Sequence, residues 1–359
     1  LWIKIMAYSS ITKPTEYFNT IIYTGDGTSN RNITGFGFQP DWLWQKTTNQ
    51  TFNHYWFDSA RGNSSVLKSN STDAQDTSTT GFNGFISDGF NVSQVTGWEM
   101  NNSSLSVEYV NWCWRGAGGT ASNGDGSITS TVSANTTSGF SVVTTTGTGS
   151  AATVGHGIGI APKMVIGKRR DSGSSQWRVF NSNLSSASHI LFLDSADGEQ
   201  SGNSATWNNT APTSTVFSVA GSGDVNASGG TFVFFCFAEV KGFSKFGKYS
   251  GNGNADGTFV YTGFKPAWIM VKKFNSSGDE WNIFDNKRDV DNVMQQRLVA
   301  NVNAANAAGT YVDFLSSGFK FRTTNNLGNG SGNSYIYMAF AENPFVANDS
   351  GTAVPVVAR

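Results

Sequence analysis

Short runs of β-branched and aromatic residues, each bounded by Gly, Asn, Asp or Pro, recur along the whole chain. In the first third they are Phe18 to Tyr23, Trp42 to Lys46, Tyr55 to Asp58, Phe85 to Val92 and Tyr109 to Trp114. Comparable runs follow at Met164 to Lys168, Ile190 to Leu193, Val216 to Val219, Trp268 to Lys272 and Phe319 to Arg322. Such segments fit the pleated, half-buried surface of a sheet. Only Val290 to Ala308, where Ala and Gln concentrate, has helical character, and there a turn or two of helix over a sheet is expected. Many short strands at regular spacing predict a β-sandwich or a barrel.

The runs are not independent of one another, because the chain repeats itself. Tyr23-Thr-Gly-Asp-Gly27 precedes Gly35-Phe-Gly-Phe-Gln-Pro40, Thr145-Thr-Gly-Thr-Gly149 precedes Gly157-Ile-Gly-Ile-Ala-Pro162, and Tyr249-Ser-Gly-Asn-Gly253 precedes Gly263-Phe-Lys-Pro266. From the first Gly of each motif to the Pro is 15 residues every time. Each copy closes on an aromatic strand, at Tyr109, Phe232 and Tyr335, which lie 69, 70 and 69 residues beyond the Pro. The expectation is an all-β chain of three tandem homologous β-sandwich domains, jelly-roll or concanavalin-like, at 17–115, 139–240 and 246–345. An N-terminal arm (1–16) and a C-terminal tail (346–359) flank them.

The joints differ in kind. Residues 116–138 are rich in Gly, Ser and Thr, the composition of a flexible or extended linker, whereas only a few residues separate the second and third copies. The first copy is therefore expected to move against a fixed pair. Within each copy the Pro opens a strand, where its missing N–H costs least. Trp42, Met164 and Trp268 follow two residues later, with Trp44, Ile166 and Met270 two further on. That period puts them on one sheet face, as core rather than ligand platforms.

Composition narrows the function classes. Charged residues make up 14%, against a usual value of about 25%, while 27 Phe, 11 Trp and 10 Tyr exceed what a disordered chain carries. A net charge of -1 without a long basic run argues against sequence-independent nucleic-acid binding and electrostatic membrane attachment. No apolar stretch nears the roughly 20 residues of a membrane-spanning helix. Leu1 to Ser10 is short for a signal peptide, and Met6-Ala7 reads like an ordinary start with residues 1–5 as an upstream extension. Two cysteines make no disulfide framework, and the many N-x-S/T triplets follow from composition.

Candidate chemistry is sparse. His54, His156 and His189 have no acidic or Cys neighbour at metal-ligand spacing, so neither a zinc site nor a Ser-His-Asp nucleophile has a basis, and no cofactor loop occurs. Cys113 and Cys236 occupy the same place in copies one and two and read as small core residues. Asn252 to Gly257 resembles the start of a calcium loop, but Gly263 stands where the closing Glu belongs, so a turn is expected. Asp58 with Arg61 and Asp285 with Arg288 repeat an acid and an arginine three apart, where copy two has Asn181 and Leu184. Leu67 with Asn70, Leu191 with Asp194 and Leu298 with Asn301 form a second recurring step. These acids recur singly, as loop-fixing residues, rather than as the paired carboxylates of a glycosidase. Aromatics without counterparts in the other copies, namely Tyr55, Trp98 and Trp207, are the candidates for glycan or subunit contact.

The chain resembles a family of virion-associated proteins of tailed bacteriophages, of the marine cyanophage and pelagiphage type. The likeness rests on Ile11 to Asn19 (ITKPTEYFN), on Gly-Phe-Gln-Pro-Asp-Trp ending at Trp42, on Tyr55 to Arg61 (YWFDSAR), on Asp125 to Asn135 and on Phe314 to Phe319. It implies virion localisation and a non-enzymatic structural part on the particle surface, either a head decoration or fibre or a tail appendage. The implied partners are copies of itself, as a trimer, and other virion proteins. The competing expectation is a receptor- or glycan-binding adhesin.

Overall fold

The structure, a computed structural model, describes residues 9–78, 80–96, 100–104, 106–344, 346–349 and 352–355. The fold is all-β, and its order follows the repeat. In each copy an opening strand (Phe18–Thr24, Phe140–Thr146, Ser244–Ser250) pairs antiparallel with the closing strand (Glu108–Trp114, Thr231–Phe237, Ser334–Pro344). The closing strand pairs with the strand containing or following the Pro motif (Trp42–Thr47, Met164–Arg169, Phe264–Lys273), and that one with Tyr55–Asp58, Arg178–Asn181 or Asn282–Asp285. The register is the same too. Trp42, Met164 and Trp268 stand opposite Trp114, Phe237 and Phe340 on one side and Asp58, Asn181 and Asp285 on the other.

Both faces of these sheets are buried. Alternate residues of one strand point opposite ways, and in Trp42–Thr47 every position is inaccessible. One face looks into a core private to its copy: Leu43 in the first, Val165 in the second, Ile269 and Val271 in the third. The other face carries Trp42, Trp44, Met164, Ile166, Trp268 and Met270 into a single core to which all three copies contribute. There the Trp42 ring lies 4.9 Å from Phe235, Trp56 lies 4.6 Å from Trp177, Phe18 lies 5.0 Å from Phe340 and Phe237 lies 6.3 Å from Phe340. Each ring of this size removes roughly 200 Å² from water, about 5 kcal/mol before entropy is counted. The three copies are thus packed around one another, and the expected independent motion of the first is not what the structure holds.

The recurring Gly has a mechanical cause. Asn101, Asn226 and Asn329, buried to 0%, 1% and 0% exposure, sit before each closing strand. Their Oδ1 atoms accept from the backbone N–H of Asp26, Thr148 and Asn252, and their Nδ2 groups donate to the carbonyls of Thr28, Ser150 and Asn254. Gly25, Gly147 and Gly251 lie under this clamp, where a Cβ would come within 2.1, 2.3 and 2.4 Å of a backbone oxygen. The Asn252 loop is accordingly a turn, its side-chain oxygens occupied by backbone N–H groups of Asn254 and Asp256.

Two expectations are corrected. Residues 116–138 are not a free linker: Ala121–Asn123 and Ser130–Asn135 add two strands to the sheet of the second copy. Ile128 and Val132 are buried, and the inaccessible Asp41 carboxylate takes hydrogen bonds from Gly116, Gly118 and Ser133. Ser130, Thr131 and Ser133 of this stretch are strand residues with Val132 and Ala134 interleaved. The region 290–308 is not helical either; Met294–Val299 and Ala307–Leu315 are antiparallel strands, with Met294 and Leu298 buried. The α-helices among the described residues are single turns, Ser204–Trp207 and Gly223–Asn226. Of the arm, Ser9 and Ile11 are buried and Pro14–Glu16 is a 3-10 turn; of the tail, Val346–Asp349 pairs with Thr352–Pro355.

Candidate functional site

Where neighbouring copies meet, three seams run alongside the shared core, built from equivalent residues. The position before each fourth strand is His54, Trp177 or Trp281. Its backbone N–H is held by the side-chain oxygen of Asn70, Asp194 or Asn301, the recurring step after each Leu, at 2.9, 3.1 and 3.0 Å. Its ring nitrogen reaches a carbonyl of the adjacent copy: Trp177 Nε1 donates to Lys68 at 3.0 Å, Trp281 Nε1 to Phe192 at 2.8 Å, and His54 Nε2 meets Val299 at 2.9 Å. Lys68, Phe192 and Val299 are themselves equivalent, each directly following the recurring Leu. A second set runs the other way: the N–H groups of Gln75, Glu199 and Asn306 donate to the carbonyls of Arg170, Phe274 and Thr48. First meets second, second meets third and third meets first, so the ring closes.

The buried acid–arginine pairs stand beside these seams. Asp58 holds Arg61 and Asp285 holds Arg288 with side chains at most 1% exposed, and each arginine also donates to the carbonyl of Trp56 or Ile283. Asp285 further accepts from Trp112 Nε1 of the first copy at 3.1 Å. In the second copy Asn181 fixes the same turn through the N–H of Asn183. These are loop-fixing roles, as the single recurring acids imply.

Lys46, Lys168 and Lys272 occupy a third equivalent set, six residues beyond each Pro. Burial lowers their pKa values to about 7, 8 and 8. Lys168 and Lys272 donate across their seams to the carbonyls of Thr72 and Ala196 at 2.8 and 2.9 Å; Lys46 donates within its own copy, to Thr47 and Gln50. Asp194 is shifted upward to about 6, by burial first, and its Oδ2 is without a partner.

The three candidate contact residues do not come together. Tyr55, 6% exposed, packs in the private core of the first copy, on a strand with both faces covered. Trp207, 2% exposed, caps the second copy's core among Phe180, Phe217 and Phe234. Neither is placed to touch a glycan or another subunit, and Trp98 lies outside the described residues. Rings do reach solvent at Phe259 and Tyr261, 46% and 56% exposed on either side of buried Val260. The alternation Phe-Val-Tyr on a short strand was the signal for them. Tyr261 borders an open cleft of about 520 Å³ with Glu239, Lys241, Lys245 and Thr262.

His156 and His189 sit apart, the first bonded to Thr213 and Ile158, the second to Ser186. Cys113 and Cys236 are buried free thiols in two different private cores. Among the described residues no group of three or more His, Cys, Asp or Glu side chains is arranged to hold a metal ion.

A family model described as a domain of unknown function, DUF7483, matches residues 13–344. The chain belongs to this family. The DUF7483 match takes in all three copies in one span, which is the extent of the closed ring. No curated protein matches the chain.

Proposed function

We propose that this DUF7483 chain is a non-enzymatic structural part of a tailed-phage virion, exposed on the particle surface as a head decoration, fibre or tail appendage. In this reading it is three tandem homologous β-sandwich domains, 17–115, 139–240 and 246–345, fused into one rigid block. The observation that carries it is the closed set of three seams around a shared aromatic core. Several groups capable of chemistry hold that set together: His54 on a seam, Asp58 and Asp285 on arginines, Lys168 on a carbonyl. Such a block seats on a three-fold position as a single chain, so the three-fold expected from three copies is supplied within one. Association with further copies and with other virion proteins belongs to the same proposal, helped by a net charge of -1. Mass spectrometry of purified particles, with a low-resolution map locating the chain, tests it. Presence at stoichiometric copy number is expected; absence from the particle overturns it.

A second reading, glycan-binding adhesin, is favoured by Tyr261 at the rim of a polar cleft, since an exposed ring beside polar groups suits a sugar face. A glycan array with wild type and Tyr261→Ala tests it: signal lost in the variant supports the reading, and no signal in either removes it.

A further inference from the structure

At the position before the fourth strand, two of the three seams carry a ring that does not titrate, and the third carries one that does. In the seams joining the first copy to the second and the second to the third, the ring at this position crosses as an indole N–H donor, of Trp177 or Trp281. In the seam that joins the third copy back to the first, the same position holds His54. Both ring nitrogens of His54 are committed. Nδ1 accepts from Trp44 Nε1 at 2.8 Å, and because an indole N–H only donates, Nδ1 carries no proton. Nε2 therefore carries it and donates to the Val299 carbonyl at 2.9 Å. A second proton has one place to go, Nδ1, where it would confront the Trp44 N–H inside a side chain that is 0% exposed.

Only the backbone at Val299 and Val302 favours an imidazolium here, and burial, the largest influence, outweighs it. Lys46 from the Trp42–Thr47 strand and Arg288 from the third copy both act against the charge. Asp285 is engaged by Arg288 and Trp112, and Asn70, on the His54 backbone, is neutral. The crossing loop here, Val299 to Asn306, contains no charged residue, whereas its equivalents carry Lys68 and Asp73 in one case and Asp194, Asp197 and Glu199 in the other. Carboxylates from these loops and from neighbouring turns favour the charged forms of Lys168 and Lys272: Asp194, Asp224 and Asp73 act on the first, Glu280, Asp279 and Asp197 on the second. Lys46 has no such carboxylate among the causes of its shift and does not reach across. This is also the seam between the ends of the repeat array, with no connecting segment between its two copies.

We propose that the seam between the third and first copies is an acid-triggered latch: protonation of His54 breaks its bond with Trp44 and releases the ring at this seam, while the other two stay shut. The sign is fixed by linkage. His54 in the closed seam lies well below its ordinary value of 6.5, by burial first, so the open form binds the proton and acid favours opening. With an open-state value of about 6.5, the closed-to-open ratio falls about 30-fold from pH 7.5 to pH 5.

The three equivalent backbone amides are built-in reporters, since Asn306 crosses this seam and Gln75 and Glu199 cross the others. Hydrogen exchange of the full chain at pH 7.5 and pH 5, corrected for the intrinsic rates, reads all three at once. The expected result is a fall of about 30-fold in protection at Asn306 relative to Gln75 and Glu199. His54→Gln keeps an acceptor for Trp44 and a donor for Val299 without titrating, and should abolish the difference. Unchanged protection at Asn306, an equal fall at all three amides, or the same fall in a folded His54→Gln protein overturns the proposal. Should that variant not fold, His54→Asn repeats the test, and the wild-type three-amide comparison stands without it.

Discussion

Each copy has one core of its own and one face in a core it shares, and the two are built differently. The private cores hold mostly Phe, Val, Tyr and Ile from a single copy. The shared core draws on all three and holds Trp42, Trp44, Trp56, Trp112, Trp114 and Trp268 among its members. Four of those indoles, Trp42, Trp56, Trp114 and Trp268, bury an N–H without a partner. Large rings fill the irregular space where three sheets converge, and the unpaired N–H groups are a cost accepted there. Private cores hold each copy's own sheets together; the shared core joins the three copies.

That contrast is open to direct attack. The largest effect should follow Trp42→Ala, with a loss of about 3–5 kcal/mol and proteolytic susceptibility appearing in all three copies together. Phe217→Ala, in the second copy's private core, should cost a similar amount but expose cleavage sites in the second copy first. If the two variants gave the same cleavage pattern, the distinction between the cores would fail. Next, Arg61→Ala leaves Asp58 buried and unpaired beside the shared core, and a loss of about 3–5 kcal/mol in denaturant titration is expected. Asn226→Ala removes one clamp on a Gly turn at the far side of a single copy, so about 1–3 kcal/mol should be lost without coupling to the other copies.

The smallest effect concerns Asp194, the one acid where the other copies use Asn70 and Asn301. Its carboxyl is held up at about 6, against about 3.9 in an unfolded chain. The folded state therefore keeps the proton longer, and stability present below pH 4 is lost as pH rises through 6. Asp194→Asn should raise the melting temperature above pH 6 and flatten the profile between pH 4 and 6. A melting temperature unchanged at pH 7.5 would show that the buried charge costs nothing.

Much of this architecture was legible in the sequence because it is written in spacing. The recurring Gly lies under the Asn clamp, and the strand runs from Trp42, Met164 and Trp268 appear in one register. The single acids of Asp58 and Asp285 likewise showed as loop-fixing residues. Ring closure was less legible, because a strand's period names its faces and not what covers them. A clue was present in Trp42 to Gln45, which has no exposed face to offer. Residues 116–138 misled because Ser and Thr serve linkers and strands alike. Tyr55 and Trp207 misled because an aromatic unique to one copy can fill a gap unique to that copy's core.

The central claim is that the three copies share one core and stand or fall as a unit. Differential scanning calorimetry of the full chain at pH 7.5 tests it most directly. A single transition with a calorimetric to van't Hoff enthalpy ratio of about one is predicted. Two or three resolved transitions, or a ratio of about two to three, would mean that the copies unfold separately and that the shared core does not bind them into one body.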